Sequence, residues 1–155
     1  MPKTKFQDFV FTIVMVAVMV YGMVLYNAAF SLGGLKNEMF LEALIAMPVT
    51  YIIAFAIEFL FVGRVAPKVA FKAINPRETQ PLIITIIISC IIVMFMCPIM
   101  SFIAVFLHDF AGPETIITTW FTLLVRNFPM ALFYQLFFAG PVVRAIFRPW
   151  FSKTK

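Results

Sequence analysis

The strongest constraint on this chain is a run, Phe9–Phe30, that carries no Asp, Glu, Lys or Arg from end to end. At 1.5 Å of rise per helical residue, a run of about 20 residues crosses roughly 30 Å of hydrocarbon. Three more follow. The second extends from about Phe40 to Val62, with Glu42 near its start, Pro48 inside and Glu58 near its end. The third is Leu82–Leu107, with Pro98 inside, and the fourth, about Thr118–Ala139, contains Arg126, Asn127 and Pro129. Lipid offers no partners to backbone N–H and C=O groups, so such segments must be helical to satisfy their own. The expected fold is all-α: a polytopic membrane protein with four transmembrane helices. Composition excludes the alternatives. Of 155 residues, 63% are hydrophobic and 12% charged, and a soluble domain of this length leaves roughly a third of its unfolded surface wet. Disorder needs far less apolar content.

Net charge is +5 and the pI is near 9.5. In a soluble protein that balance would suggest nucleic acid, but here the bases sit beside the spans and no nucleic-acid partner is expected. Lys3, Lys5, Arg64, Lys68, Lys72, Arg77, Arg144, Arg148, Lys153 and Lys155 occupy the N-terminus, the Gly63–Gln80 connector and the C-terminus. The two remaining loops hold only Lys36 together with Glu38, Asp109 and Glu114. The positive-inside rule then puts both termini in the cytoplasm, in a bacterial inner membrane. Cys90 and Cys97 form no CxxC pattern, and the single His108 cannot complete a zinc set. No metal or other cofactor is expected.

The chain repeats itself at an offset of about 77 residues. Glu58-Phe-Leu-Phe-Val-Gly63 aligns with Gln135-Leu-Phe-Phe-Ala-Gly140, and Lys68-Val-Ala-Phe71-Lys72 with Arg144-Ala-Ile-Phe147-Arg148. Residues 1–78 and 79–155 therefore read as two two-span units. Two spans per unit give both the same orientation, so the fold is two parallel-repeat helical hairpins about an axis along the membrane normal. The basic stretches are expected in the headgroup layer, with Phe71 and Phe147 dipping inward.

Several blocks resemble the bacterial family called domain of unknown function 2798. They are Pro2-Lys-Thr-Lys-Phe-Gln7, Met-Val-Tyr21…Tyr26-Asn27, Glu58-Phe…Val-Gly63, Met96-Cys-Pro-Ile-Met100 and Asn127-Phe-Pro-Met130…Phe-Phe-Ala-Gly-Pro141. The resemblance covers nearly the whole chain and implies a small membrane protein with the domain in tandem; it brings no activity, substrate or catalytic residue. The layout is also similar to the proteobacterial antimicrobial compound efflux transporters, without their acidic motif in the first span.

Ionisable groups within a membrane are costly, which makes each a candidate for function. Arg126 lies about 21 Å above the inner boundary at Gly140, level with Asn127, Asn27 and Tyr21. These four form a candidate anion or proton site. The competing reading is a clamp, with Arg126 donating to carbonyls freed by Pro129 and Pro98. Glu58, about 7 Å from the inner boundary, is a candidate proton-coupling group, or else reaches toward Arg64. Met19, Met23, Met96, Cys97 and Met100 form a soft-metal set suited to Cu(I), although Met also fills gaps between helices. Pro48, Pro98 and Pro129 are expected to kink their helices. No nucleophile–base pair or phosphate loop is present, so an enzyme is not expected. Two functions stay open. One is a transporter or efflux component for an unknown small molecule, as a homodimer because four helices make a thin wall. The other is a non-transporting scaffold or regulatory subunit.

Overall fold

A computed structural model describes residues 5–75, 79–107 and 112–152. Lys3, Arg77, His108, Asp109, Lys153 and Lys155 lie outside them, and so do the expectations that rest on those residues. Among the described residues every regular element is helical. They are α1 (Lys5–Ser31), α2 (Glu38–Ile57), a π turn (Glu58–Val62), α3 (Gly63–Ala73), α4 (Pro81–Leu107), a 3₁₀ turn (Pro113–Thr115), α5 (Ile116–Tyr134), a second π turn (Gln135–Ala139) and α6 (Gly140–Ser152). Four continuous stretches are long and apolar enough to cross a membrane: Phe9–Ser31, Glu38–Ala73, Leu82–Leu107 and Pro113–Pro149. The backbone runs through Pro48, Pro98 and Pro129 without leaving the helix.

α1 ends in a glycine turn. Gly33 takes φ +73°, and the Gly34 N–H donates to the Ala29 carbonyl at 2.9 Å, the six-to-one bond that closes helices with a left-handed residue at their end. The chain then reverses into α2, which packs along the whole of α1. α4 and α5 form the second hairpin in the same way. The hairpins join through α5 against α1 and α2 against α4, leaving α1 and α4 on opposite sides of the bundle.

The basic connector is shorter than the sequence suggests. Gly63–Ala73 is helix, continuous with α2, and only residues 74–80 link it to α4. The reason is a pair of small residues one turn apart: Ala66 and Ala70 are fully buried and lie with Val62 against Ile91 of α4. Small side chains let backbones approach closely, the principal source of helix association where lipid is as apolar as leucine. α6 does the equivalent on α1, where Val143 is fully buried and Phe147 meets Phe11 edge to face at 5.8 Å. Phe71, by contrast, stays 47% exposed, because its turn of α3 already buries Ala70. The bundle turns outward what a soluble protein hides: Leu41, Ile45, Ile52, Ile117, Val125 and Phe137 are all more than half exposed. Such a continuous apolar exterior suits lipid.

Candidate functional site

The interior is not solid. A cavity of about 1360 Å³ runs between the four long helices, and its lining follows the 77-residue offset. α1 contributes Thr12, Val16, Met19, Met23 and Asn27; α4 contributes Ser89, Val93, Met96, Met100 and Ala104. The second helix of each hairpin gives Thr50, Ala54, Glu58 and Gly63 on one side and Asn127, Ala131 and Gln135 on the other. Every residue of the first hairpin's set except Gly63 has its mate, 77 positions on, in the second set. The cavity thus lies between two similar halves, each turning the same helix faces toward it.

The π turns hold that arrangement. In each, the N–H of the closing glycine donates to a carbonyl five residues back: Gly63 to Glu58 and Gly140 to Gln135. A π turn contains one residue more than an α turn. Up to it, Ala54 and Glu58 or Ala131 and Gln135 face inward. Beyond it, the extra residue rotates the helix so that Ala66 and Ala70, or Val143 and Phe147, pack on the neighbouring hairpin. A Cβ on Gly63 would sit 2.9 Å from the Glu58 oxygen, and one on Gly140 2.7 Å from the Gln135 oxygen. Glycine is what makes the close approach possible at both positions. The aligned motif ending in Gly63 and Gly140 was the available signal for these turns, which reading for proline kinks overlooks.

Polar groups concentrate at the two ends of the cavity. Toward the connector end, Glu58 is 9% and Gln135 3% exposed, both among the lining residues. Arg144 also lines this end, with its Nε donating to the Gly140 carbonyl at 2.8 Å. Between the ends lie the methionines. Met96 and Met100 pack on Val16, Val20 and Ala54, while Met23 packs on Val93, Cys97 and Ala131. Met19 and Met96, and Met23 and Met100, are mates across the repeat. The Cys97 thiol lies 4.0 Å from the Ser101 hydroxyl. Among the described residues no group of three or more His, Cys, Asp or Glu is placed to hold a metal.

At the opposite end, Arg126 of α5 reaches α1. One guanidinium nitrogen, Nη2, donates to Asn27 Oδ1, and the group lies over the Phe30 ring, 4.4 Å from its centroid. Asn27 is itself anchored, its Nδ2 donating to the Met23 carbonyl at 2.9 Å. The Tyr26 hydroxyl donates to the Arg126 carbonyl at 3.5 Å. Among the described residues the guanidinium makes no hydrogen bond to a backbone carbonyl, and the Pro98 carbonyl is met by Trp120 Nε1 at 2.9 Å instead. Among the described residues two buried side-chain atoms stay without partners: Arg126 Nε and Asn127 Oδ1. Asn127 is only 6% exposed and faces the cavity. Tyr21 is not part of this group. It points toward α2, where its hydroxyl donates to the Phe40 carbonyl at 3.3 Å. Arg126, Asn27 and Asn127 therefore come together, Glu58 lies at the far end, and Tyr21 lies outside.

The family model described as Domain of unknown function (DUF2798) matches residues 4–74 and again 78–151. The "Uncharacterized protein YybC" of Bacillus subtilis (strain 168) is 25% identical over 149 residues, spanning 95% of this chain and 92% of that protein. No solved structure matches.

Proposed function

This chain belongs to the DUF2798 family, and we propose that it carries small molecules across the bacterial inner membrane by way of its interhelical cavity. The observation that carries this reading is the cavity of about 1360 Å³, lined from all four long helices and bearing ionisable groups at both ends. A cavity of that size exceeds the range of about 300–1,000 Å³ common for small-molecule sites. Buried charge within a bilayer is costly and is retained where it serves a solute or a proton. In this reading residues 1–78 and 79–155 are parallel units, both termini face the cytoplasm, and Glu58 is the group that binds and releases a proton. Gln135, its mate, keeps the same shape without the charge, so coupling is asymmetric. The homodimer expected from the thin four-helix wall is part of the same proposal.

A second reading has its own support. Arg126 is partly satisfied by Asn27 and Phe30, as it would be in a scaffold that moves nothing. Flux in sealed proteoliposomes separates the two. The carrier reading expects proton movement driven by at least one class among cations, amphiphiles and small anions, lost in Glu58→Gln with the fold intact. Silence across all three classes, with the reconstituted protein verified as folded, gives the protein to the scaffold reading.

A further inference from the structure

We infer that the Arg126 end of the cavity receives a molecule bearing one negative charge beside a hydrogen-bond donor, on an apolar body. The inference rests on the carrier reading only for its purpose, since it names the class of solute the cavity takes; the binding itself is independent of transport. Two complementary deficits lie on neighbouring residues. Arg126 Nε is a buried donor with no acceptor, and Asn127 Oδ1 is a buried acceptor with no donor. Buried polar atoms are nearly always paired, because leaving one unpaired forfeits its hydration for nothing. Both residues line the same cavity. Both atoms are closed off as the side chains stand, so a ligand that meets both deficits must draw these side chains toward the cavity and present an acceptor to Arg126 and an N–H or O–H to Asn127.

Charge points the same way. Among the described residues no Asp or Glu pairs with Arg126; its neighbours are the neutral Asn27 and the Phe30 ring. A cation among apolar helices is stabilised most by an anion held through charge-assisted hydrogen bonds. The repeat supplies an internal contrast. Arg126 and Asn127 align with Val49 and Thr50, and Val49 is 59% exposed, so the site exists once per chain. Beyond the polar end the wall passes to Met19, Met23, Met96 and Met100, flexible thioethers that mould around irregular hydrocarbon. A 3-hydroxy acid with an alkyl chain has this chemistry, and so does a glycerol-bearing anionic lipid headgroup.

The experiment is equilibrium binding of radiolabelled 3-hydroxydecanoate, decanoate and decyltrimethylammonium to the full chain in phosphatidylcholine nanodiscs. The hydroxy acid should bind about tenfold more tightly than decanoate, the worth of one hydrogen bond to an otherwise unpaired acceptor. The ammonium compound should not compete. Asn127→Leu should abolish the preference for the hydroxyl while decanoate still binds. Arg126→Gln should weaken both acids at least tenfold. Should Asn127→Leu fail to fold, Asn127→Thr installs the residue found at the repeat mate, and the preference should again shrink. Repeating the measurement in phosphatidylglycerol nanodiscs distinguishes the sources: competition with the hydroxy acid identifies a lipid headgroup, and undiminished binding identifies a free solute. Equal binding of the two acids by the unaltered protein overturns the proposal, as does a hydroxyl preference that persists in a folded Asn127 variant. Binding without flux retains this site and removes the carrier reading; flux of other solutes with no acid bound does the reverse.

Discussion

Gly140→Ala tests whether the π turns are held by contact or are merely tolerated. Gly140 has φ −59° and ψ −55°, ordinary helical values. On propensity alone, alanine there should stabilise the helix by about 1 kcal/mol. Contact opposes it. The new Cβ would lie 2.7 Å from the Gln135 oxygen and would also displace the Arg144 guanidinium, whose Nε bonds the Gly140 carbonyl at 2.8 Å. Arg144 can swing aside, but the Gln135 carbonyl is backbone and must yield by more than half an ångström. Overpacking of this kind costs about 1–3 kcal/mol, and pulling the five-residue bond apart adds about 1 kcal/mol. The balance is a net loss of about 1–3 kcal/mol. Gly63→Ala meets the Glu58 oxygen at 2.9 Å, a milder clash with no arginine over it, and should lose less. Gly34→Ala, with nothing within 4 Å of its Cβ, should stay within about 0.5 kcal/mol. Reversible unfolding of the three variants in mixed micelles gives the ranking. A Gly140→Ala protein stabilised by about 1 kcal/mol, as for an open α-helical glycine, would refute the reasoning.

Other perturbations probe the remaining junctions. Arg126→Leu removes a hydrogen bond to Asn27 worth about 1.5–3 kcal/mol and a ring contact worth about 0.5–1 kcal/mol, while relieving a standing charge cost of about 2.5–3.5 kcal/mol. Thermal denaturation in detergent should change by less than about 1.5 kcal/mol, and a loss above about 3 kcal/mol would restore the clamp reading. Gly22→Ala puts a Cβ 2.5 Å from the Tyr134 ring, forcing away the hydroxyl that donates to the Val18 carbonyl at 3.3 Å. It should cost about 1–3 kcal/mol and much less in a Tyr134→Leu background, a coupling that a double-mutant cycle measures directly. A reporter fused after Lys155 should be active only when its assay reads the cytoplasm; activity confined to the outer side inverts the proposed orientation.

The four spans were legible because lipid makes hydropathy and length almost sufficient: Phe9–Phe30 has no other way to satisfy its backbone. The heights of side chains were legible as well, since 1.5 Å per residue converts position into depth. That arithmetic groups Arg126 with Asn27 and separates both from Glu58. What it does not supply is direction around the helix axis. Tyr21 has a suitable depth but faces α2, while Asn27, six residues on and so 600° around, faces the cavity. Direction in turn depends on the π turns, because one added residue rotates everything beyond it by about 100°. The extent of α3 was missed for the same reason. Without the rotation, Ala66 and Ala70 would leave α4, and the basic segment would look like a connector in the headgroup layer.

The repeat could have corrected this. Aligned over the whole chain rather than at two motifs, the 77-residue offset pairs Met19 with Met96, Met23 with Met100, Thr50 with Asn127 and Ala54 with Ala131, all of them cavity residues. Two similar halves facing one another across a common space explain why unlike functions attach to mated positions. The apolar mates keep the space open and its walls adaptable, which both halves must do alike. The polar differences, Glu58 against Gln135 at one end and Arg126 against Val49 at the other, make the two halves chemically unlike. In the carrier reading the driving gradient sets the direction of passage, and these unlike groups set what is bound and where a proton is coupled. The same residues that break the repeat are therefore the ones on which the carrier reading depends.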